Sequence, residues 1–306
     1  MKIPIKYVGQ EHLFGEIEIL AQKIDEGQNF SFIIKGGSGM GKTTLALHLM
    51  GKFCHFSQRE LDKFGQYSVA SDTVEFTPEM LQNKRFFILD EIHTVENIEY
   101  LYQFLDSNKY TFIFCTNQSG EIPEALVNRC IVFNLTRYEE EDIVEIVKQF
   151  YNTSDDNIAK VIANNANLNP RVAIQYSKRL NNINPSISSP EEMKKTMKVF
   201  LGVEDGLTVE CNIYLEFIKK VKRASLDLIS SATRLDKSLI RNVIEPILIE
   251  KGLVIITGRG RIFAGSLPAE RLELWKIRNN SFVIIYRKMD LGKYILYSPI
   301  SFYKEK

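Results

Sequence analysis

The stretch FSFIIKGGSGMGKTTLALHLM, Phe30 to Met50, decides the fold of this 306-residue chain. Phe30–Ile34 form a short apolar run typical of a buried strand, and Thr44–Met50 begin an apolar pattern with helical period. Between them, Gly36 is followed after four residues by Gly41, Lys42 and Thr43, the spacing of a phosphate-binding loop. The stretch therefore predicts an α/β fold in which a nucleotide binds between the first strand and the first helix of a nucleotide domain.

The residues of this loop suit a nucleoside triphosphate. Glycines let the backbone turn its N–H groups towards phosphate oxygens, with the positive end of the following helix behind them. Lys42 is expected to reach the β- and γ-phosphates, and the Thr43 hydroxyl to complete the shell of a Mg²⁺ ion. The predicted cofactors are therefore ATP and Mg²⁺, and the predicted contacts in the loop are Gly36, Gly37, Ser38, Gly39, Met40, Gly41, Lys42, Thr43 and Thr44.

Two later stretches supply the groups that hydrolysis needs. In RFFILDEIH, a second buried strand delivers Asp90 and Glu91 to its carboxyl end, where open α/β sheets bind ligands. Asp90 is expected to hold Mg²⁺ through water, and Glu91 to polarise the attacking water. The next strand, in YTFIFCTNQ, ends at Asn117, which is placed to orient that water against the γ-phosphate.

Arg129, in the stretch EIPEALVNRCIVFNL, has two interpretations. It is either a surface residue in an ordinary salt bridge or an arginine finger that enters the site of a neighbouring subunit. The second interpretation would couple hydrolysis to assembly.

The order of these elements resembles that of the AAA+ ATPases, over residues 7 to 182. The resemblance implies that Asn117 is the first sensor, that Arg129 is the finger, and that Arg171, in NLNPRVAIQYSKRL, is a second sensor at the start of a lid helix. The segment YVGQEHL resembles the part of these proteins that lies against adenine. The additional nucleotide contacts that follow from the resemblance are Tyr7, Val8 and Tyr138.

Four segments make up the predicted organisation of the chain. An AAA+ P-loop parallel-sheet domain covers residues 1–137, a helical lid 138–205, a winged-helix DNA-binding domain 206–265, and a β-rich extension 266–306. The third segment is predicted from its order of two helices, a third helix at 237–251, and two strands around a Gly-Arg-Gly turn. In the extension, SFVIIYRKMDLGKYILYSPISFY alternates as in a hairpin, and its aromatic residues favour a core or an interface over base stacking.

Charge is distributed unevenly although the chain as a whole carries a net charge of only +1. Residues 1–206 have 21 Lys/Arg against 28 Asp/Glu, a net charge of −7, and residues 207–306 have 18 against 10, a net charge of +8. The C-terminal third therefore favours a polyanionic partner such as DNA. A basic solvated face without a partner is the alternative.

The stretch IEPILIEKGLVIITGRGRIF is similar to the end of the RuvB family of Holliday-junction motors. This similarity implies that Arg259 in the wing contacts duplex or branched DNA, with Arg261 as its neighbour, and that the chains form a hexameric ring. Lys237 and Arg241, one helical turn apart, would share the face of the third helix that approaches DNA.

One span departs from that family. Only 26 residues separate Asp90 from Asn117, whereas RuvB proteins carry a hairpin there that docks their RuvA partner. Partnership with a RuvA-like protein is therefore not expected, and the short span and IPEALVNRC also resemble clamp-loader subunits. Three functions stay open: a DNA-dependent ATPase motor, a clamp or helicase loader, and a DNA-binding regulatory ATPase.

Two further predictions concern the environment of the chain. No apolar run is long enough to span a bilayer and the N-terminus is too polar for a signal peptide, so a cytoplasmic protein without membrane contact is expected. The four cysteines are scattered and lack metal-ligand spacing, so buried thiols are expected at Cys54, Cys115, Cys130 and Cys211.

Overall fold

The computed structural model describes residues 7–54, 65–68, 86–95, 98–117, 122–264, 272–279, 282–290 and 295–304, with the backbone alone at 52–54, at 65–68 and beyond 264. The chain divides into two compact units, Met1–Lys195 and Thr196–Lys306. The predicted nucleotide domain therefore shares one unit with most of the predicted lid.

A five-stranded parallel sheet organises the first unit. Its order is β2-β3-β4-β1-β5, so β1 lies between β4 and β5. The strands are β1 Phe32–Lys35, β2 Gly65–Ser68, β3 Phe86–Asp90, β4 Thr111–Thr116 and β5 Ile131–Asn134. The predicted α/β fold is confirmed, but β2, whose sequence GQYS is not apolar, was not predicted.

The strands β1, β3, β4 and β5 carry apolar residues on both faces because helices and turns cover both of them. Alternate residues of a strand point to opposite faces, so Phe32 and Ile34 belong to one buried cluster and Ile33 to the other. The first face is covered by α1 Glu11–Asp25 and α2 Lys42–Cys54. The second is covered by 3₁₀ turns at Ile92–Thr94 and Ile98–Leu101 and by the short helices α3 Tyr102–Asp106 and α4 Glu124–Val127.

Four helices follow the sheet and form the lid region, of which the first three lie wholly in the first unit. They are α5 Glu140–Phe150, α6 Asp156–Asn165, α7 Pro170–Ile183 and α8 Pro190–Thr196, and a π-helical turn, Met197–Leu201, continues the last. Asn169 caps α7, since its side-chain oxygen accepts from the backbone N–H groups of Arg171 and Val172, and Pro170 occupies the first turn. The local sequence NPR thus fixes where α7 begins, and with it the position of Arg171.

The second unit contains the predicted winged helix. Its helices are α9 Val209–Val221, α10 Leu226–Thr233, and a third helical run made of α11 Lys237–Leu239, a π-helical turn Ile240–Ile244 and α12 Glu245–Glu250. A sheet of order β6-β8-β7 packs with them, from β6 Arg223–Ala224, β7 Val254–Thr257 and β8 Gly260–Phe263. The two wing strands were predicted; β6, only two residues long, was not.

The π-helical turn has a cause in the sequence. Pro246 has no N–H group to donate to the carbonyl four residues earlier, so the regular ladder of the third helix is interrupted there. Lys237 and Arg241 therefore belong to different kinds of helical turn.

Beyond residue 264 the backbone forms a three-stranded antiparallel sheet of order β11-β10-β9. Its strands are β9 Leu272–Asn279, β10 Phe282–Asp290 and β11 Ile295–Lys304. The predicted hairpin corresponds to β10 and β11, whereas the prediction for its aromatic side chains lies outside the described residues.

Three further observations concern the predictions about environment. Within the described ranges no helix is long and apolar enough to cross a membrane. Cys115 and Cys211 are buried free thiols, and burial raises the pKa of the half-buried Cys130 to about 12, while the side chain of Cys54 lies outside the described residues. The same ranges contain no cluster of three His, Cys, Asp or Glu side chains suited to a metal ion.

Candidate nucleotide-binding and DNA-binding sites

The phosphate loop has the backbone that its glycines allow. Gly39 and Gly41 have φ angles of 78° and 83°, in the left-handed region that side chains disfavour. A Cβ atom at Gly39 would lie 2.6 Å from Asn169 Oδ1, and one at Gly41 would lie 3.2 Å from the Tyr138 hydroxyl. Both positions are therefore closed to larger residues, because the lid region packs directly on the loop.

Lys42 and Thr43 begin α2 at the end of this loop, as predicted. The Lys42 side chain is buried, and its Nζ donates to the carbonyl oxygens of Gly36 and Gly37, at 3.0 Å each. The Thr43 hydroxyl donates to Asp90 Oδ2 at 2.6 Å. The structure thus brings together the hydroxyl and the carboxylate predicted to hold Mg²⁺, and hard oxygen ligands of this kind are those that Mg²⁺ prefers.

Glu91 follows Asp90 at the carboxyl end of β3 in an unusual conformation. Its φ is 53°, and its backbone N–H donates to Asp90 Oδ1 at 3.0 Å. Its Oε2 atom is buried and makes no hydrogen bond within the described residues, although His93 Nδ1 lies 3.4 Å away. Left-handed non-glycine residues of this kind concentrate at functional sites.

A cavity of about 320 Å³ joins these residues to the lid. Lys42, Thr43, Asp90 and Glu91 line one side, and Arg171 of α7 lines the other, as predicted for the second sensor. Sequence reasoning missed Pro170 and three further lining residues of α7, namely Ile174, Gln175 and Lys178. The helical spacing of those three from Arg171 was the available signal, because residues three, four and seven positions apart share a face.

Asn169 links the lid to the loop. Its Nδ2 donates to the Ser38 carbonyl at 3.1 Å while its Oδ1 caps α7, and the Arg171 backbone N–H lies 3.3 Å from the Gly39 carbonyl. Sequence reasoning did not single out Asn169, although an asparagine before proline at the start of a helix indicates a cap.

Asn117 does not line the cavity that contains Glu91 and Arg171. It follows β4 and lines a separate cavity of about 280 Å³ with Gly36, Gly37 and three other residues of the neighbouring strand ends. The structure therefore places Asn117 beside the start of the phosphate loop but not in the cavity that contains Glu91. Its role as the first sensor stays a prediction.

The two tyrosines predicted to lie near adenine pack against the loop. Tyr138 donates its hydroxyl hydrogen to the Met40 carbonyl at 3.2 Å, so Tyr7, 3.2 Å from the same hydroxyl, is the donor to Tyr138. Both rings are buried and so is Val8, and burial raises the pKa of both phenols, which keeps them neutral. Their contact with a base stays a prediction.

Arg129 is held within its own chain at the opposite end of the sheet. Its Nε and Nη2 donate to the carboxylate of Asp106 at 2.8 and 3.3 Å, and its guanidinium lies 4.6 Å from the centre of the Tyr102 ring. It lines a cavity of about 620 Å³ with residues that precede β1, β4 and β5, whereas the phosphate loop follows β1. The predicted salt bridge exists, and a role in hydrolysis would have to be exerted on another subunit.

In the second unit, Arg259 is exposed at the tip of the wing. Thr257 Oγ1 accepts from the Arg259 backbone N–H and donates to the Gly260 carbonyl, which closes the turn between β7 and β8. Gly260 has a φ of 123°, and a Cβ atom there would lie 2.6 Å from the Ala224 carbonyl oxygen. The turn needs this glycine, and it leaves the Arg259 side chain in solvent.

The expectation that Arg261 contacts DNA beside Arg259 needs correction. Its Nε and Nη2 donate to the carboxylate of Glu245 at 2.7 and 3.3 Å, and Tyr214 donates its hydroxyl to the same carboxylate at 3.1 Å. The side chains are only 16% and 4% exposed for Arg261 and Glu245. A guanidinium committed to a buried carboxylate is not presented to a phosphate, so Arg261 has a structural role.

The two basic residues of the third helix are exposed. Lys237 Nζ lies 2.5 Å from Asp227 Oδ1, which lowers the pKa of that carboxyl, and Arg241 lies in the π-helical turn. The structure thus leaves Arg259, Lys237 and Arg241 in solvent on the second unit, and their contact with DNA stays a prediction.

Comparison with known proteins agrees with this architecture. Residues 28–143 match a family model described as an AAA domain, and residues 204–265 match one described as the RuvB C-terminal winged helix domain. The second match differs by only two residues at its start from the winged helix predicted at 206–265.

Similar proteins cover most of the chain. The Holliday junction branch migration complex subunit RuvB of Mycoplasma genitalium is 25% identical over 87% of this chain and 97% of its own length. The subunit of the same name from Campylobacter lari is 27% identical over 84% and 86%. The solved structure of the Thermotoga maritima RuvB Holliday junction branch migration motor has a TM-score of 0.65 at 23% identity over 84% of this chain and 92% of its own, which shows a shared fold.

Proposed function

The chain is a RuvB-like AAA+ ATPase, and from this premise we propose that it acts as an ATP-driven motor on duplex or branched DNA. The observation that carries the proposal is the single cavity in which Lys42, Thr43, Asp90 and Glu91 face Arg171 of the lid. A site of this kind, in the same chain as a winged helix, supports work done on DNA at the expense of ATP.

Each residue of the cavity would have its own role in ATP hydrolysis. Lys42 exchanges the loop carbonyls for phosphate oxygens, and Arg171 adds a second positive charge from the lid. Thr43 and Asp90 would hold Mg²⁺, which would supply positive charge to neutralise the phosphates. Glu91 would accept the proton of the attacking water, since its carboxylate borders the same cavity.

Assembly into a ring would complete this site. Arg129 lies at the end of the sheet opposite the phosphate loop, so its guanidinium suits the γ-phosphate of an adjacent subunit. Asp106 and Tyr102 hold that side chain in one orientation, which reduces the entropy lost when it engages a phosphate. We therefore place Arg129 in trans, in a ring that the RuvB resemblance makes hexameric.

The second unit would supply the DNA contact. Arg259 lies exposed on the turn between β7 and β8, which suits contact with a phosphate of the DNA backbone. Between β3 and β4 the described residues, 91–95 and 98–110, contain 3₁₀ turns and α3 but no strand. A motor of this kind would therefore engage its junction without a RuvA-like protein docked on a hairpin at that place.

The function is tested by measuring ATP hydrolysis and strand exchange of a synthetic four-way junction together. The wild-type chain should hydrolyse ATP faster with DNA than without it and should move the branch point. Glu91→Gln is the matched control, because it keeps the size of the side chain and the ligands of Mg²⁺ while removing the base. Hydrolysis that does not respond to DNA, or a junction that stays unmoved, would contradict the motor.

The place of Arg129 is tested by mixing two inactive variants. Arg129→Ala subunits retain the nucleotide cavity but lack the arginine finger. Glu91→Gln subunits retain the arginine finger but lack the general base of the cavity. A mixture should recover part of the ATPase activity if each finger serves a neighbour, whereas no recovery would place Arg129 outside catalysis.

A loader is the second candidate function. The absence of a strand between β3 and β4 within the described residues favours it, since that span also resembles clamp-loader subunits. A loader would form a stable complex with a ring-shaped clamp or helicase and would leave a four-way junction unmoved while ATP is hydrolysed.

A further inference from the structure

The wing sheet of the second unit has a basic edge at β6, a strand that was not predicted from the sequence. We propose that Arg223 of β6 and Lys222, in the turn before it, bind phosphates of the DNA backbone beside Arg259. The proposal rests on the function proposed above, because it extends the DNA contact of that motor from the wing tip along the edge of the sheet.

The pairing of β6 with β8 brings Arg223 to the wing. Arg223 lies opposite Ile262, and β6 is an edge strand of the sheet β6-β8-β7. A Cβ atom built on Gly260 would lie 3.6 Å from Arg223 Cγ, so this side chain packs beside the residue that follows Arg259. Although the two arginines are far apart in the sequence, the fold brings both of them to the wing.

The direction of the side chains separates Arg223 from Arg261. Alternate residues of a strand face opposite sides of a sheet, and residues directly opposite each other share a side. Arg261 is directed to Glu245 of the third helix, whereas Arg223 shares the other face with Ile262. Arg223 is exposed, and within the ranges that the structure describes its side chain forms no ion pair or hydrogen bond. Its guanidinium is therefore available to a phosphate.

Lys222 has a backbone conformation that suits glycine better than lysine. Its φ is 64°, and its N–H donates to the Ile218 carbonyl at 2.8 Å, which ends α9. Glycine is the usual residue at a helix end of this kind, because a side chain disfavours the left-handed region. An exposed lysine next to Arg223 therefore indicates a role for its side chain that offsets the conformational cost.

The charge of this edge favours a phosphate backbone as its partner. The stretch IKKVKRAS, residues 218–225, contains four cations and no acidic residue. The next acidic residue, Asp227, is already paired with Lys237. The guanidinium of Arg223 can donate two hydrogen bonds to one phosphate, and the ammonium of Lys222 acts as a point charge. Contacts of this kind hold DNA without reading its bases, as a motor requires.

The test is the salt dependence of DNA binding by the whole chain in the presence of a non-hydrolysable ATP analogue. Duplexes of two unrelated sequences and a synthetic four-way junction serve as probes. Arg223→Gln should lower the affinity a few-fold on every DNA and decrease the slope of log affinity against log salt by about one unit. Arg223→Lys, which keeps the charge, should keep the slope. A wild-type slope in Arg223→Gln would overturn the proposal.

A double variant tests whether the two arginines contact different phosphates. Arg223→Gln combined with Arg259→Gln should decrease the slope by about two units, because each contact releases its own counterion. A slope in the double variant equal to that of Arg259→Gln alone would overturn the proposal.

Two further variants separate the contact from a structural role and from total charge. Lys222→Gly should keep or raise the urea midpoint of unfolding, since glycine suits the turn, and should still decrease the slope by about one unit. An unchanged slope in that variant would remove Lys222 from the contact. Lys251→Ala removes an exposed charge before β7, at the other edge of the sheet, and should leave the slope unchanged. Equal decreases for Lys251→Ala and Arg223→Gln would show that total charge governs binding, and would overturn the proposal.

The proposal and the proposed function can fail separately. If Arg223→Gln binds DNA as the wild type does while the wild type moves the four-way junction, the motor stands and the contact at β6 is excluded. If Arg223→Gln decreases the slope but the wild type neither responds to DNA in ATP hydrolysis nor moves the junction, the contact stands and the motor is contradicted. A wild-type chain that does not bind DNA would overturn both.

Discussion

The nucleotide cavity and the winged helix use charged side chains in opposite ways. In the cavity, polar groups bond to one another: Lys42 to the loop carbonyls, Thr43 to Asp90, and Asp90 to the backbone of Glu91. On the winged helix, Arg259 and Arg241 extend into solvent. A site that stabilises charge in a fixed place derives its binding free energy from a few contacts. A surface that binds a polyanion distributes the binding free energy over many. Single substitutions should therefore have large effects on ATP binding in the first region and small effects on DNA binding at the exposed residues of the second.

Lys42→Ala should give the largest effect. It removes the ammonium group that would bind the β- and γ-phosphates, and charge-assisted hydrogen bonds of this kind contribute about 1.5–3 kcal/mol each. We expect ATP affinity to fall by at least about 100-fold, measured by titration with a fluorescent ATP analogue.

The control for this experiment is Lys23→Ala, which removes the same charge from the exposed last turn of α1. It should bind ATP as the wild type does. Equal affinities of the wild type and Lys42→Ala would mean that the cavity is not the ATP site, and the contrast between the two regions would lose its basis.

Arg261→Ala should give the second largest effect, which is a loss of folding stability. It leaves Glu245 almost fully buried with Tyr214 as its remaining side-chain partner, and breaking a buried ion pair in this way costs about 3 kcal/mol. Urea unfolding followed by the circular dichroism of the whole chain should show this loss. Arg259→Ala, the same substitution two residues earlier, should leave the unfolding curve unchanged. Equal stability of the two variants would mean that the pair with Glu245 contributes nothing.

These two arginines also mark the limit of what the sequence predicts. The Gly-Arg-Gly turn is a local feature, so the wing and the exposure of Arg259 follow from the residues alone. The position of Arg261 depends on Glu245 and Tyr214, which lie 16 and 47 positions away, and no local pattern reveals that contact. The net charge of +8 does not distinguish Arg259 from Arg261, whereas β8 pairs with both β6 and β7 and Arg261 bonds to Glu245 of the third helix.

The nucleotide site also combines residues that the sequence predicts with contacts that it does not reveal. The phosphate loop, Asp90 and Glu91 were predictable because spacing along one strand, loop and helix fixes their geometry. The contacts of Asn169 with Ser38 and of His93 with Thr116 join residues 131 and 23 positions apart, so only the packed structure reveals them. Asn117 follows the predicted strand but lines a different cavity with Gly36 and Gly37, which the order of residues along one strand does not reveal.

Substitution of Asn169 should have an intermediate effect and can separate two roles. Asn169→Ala removes the cap of α7 and should cost about 1 kcal/mol of stability. It also removes the bond to Ser38, so KM for ATP should rise a few-fold as the lid loosens over the loop. Asn169→Asp keeps an oxygen for the cap but has no N–H for Ser38, so it should keep the stability and share the rise in KM. A normal KM in Asn169→Asp would show that the bond to Ser38 does not couple the lid to the loop.

Arg259→Ala should give the smallest effect, and its form matters more than its size. If Arg259 contacts one phosphate, DNA affinity should fall only a few-fold, equally for duplexes of different sequence, and the slope of log affinity against log salt should decrease by about one unit. The matched control is Lys198→Ala, which removes one charge from the same unit where an ion pair with Glu204 already neutralises it. Lys198→Ala should leave the slope unchanged.

A loss of affinity confined to particular DNA sequences would show that the wing reads bases, and would favour a regulatory ATPase over a motor. An unchanged slope would instead move the DNA contact to the third helix, where the double variant of Lys237 and Arg241 should then lower the slope by about two units.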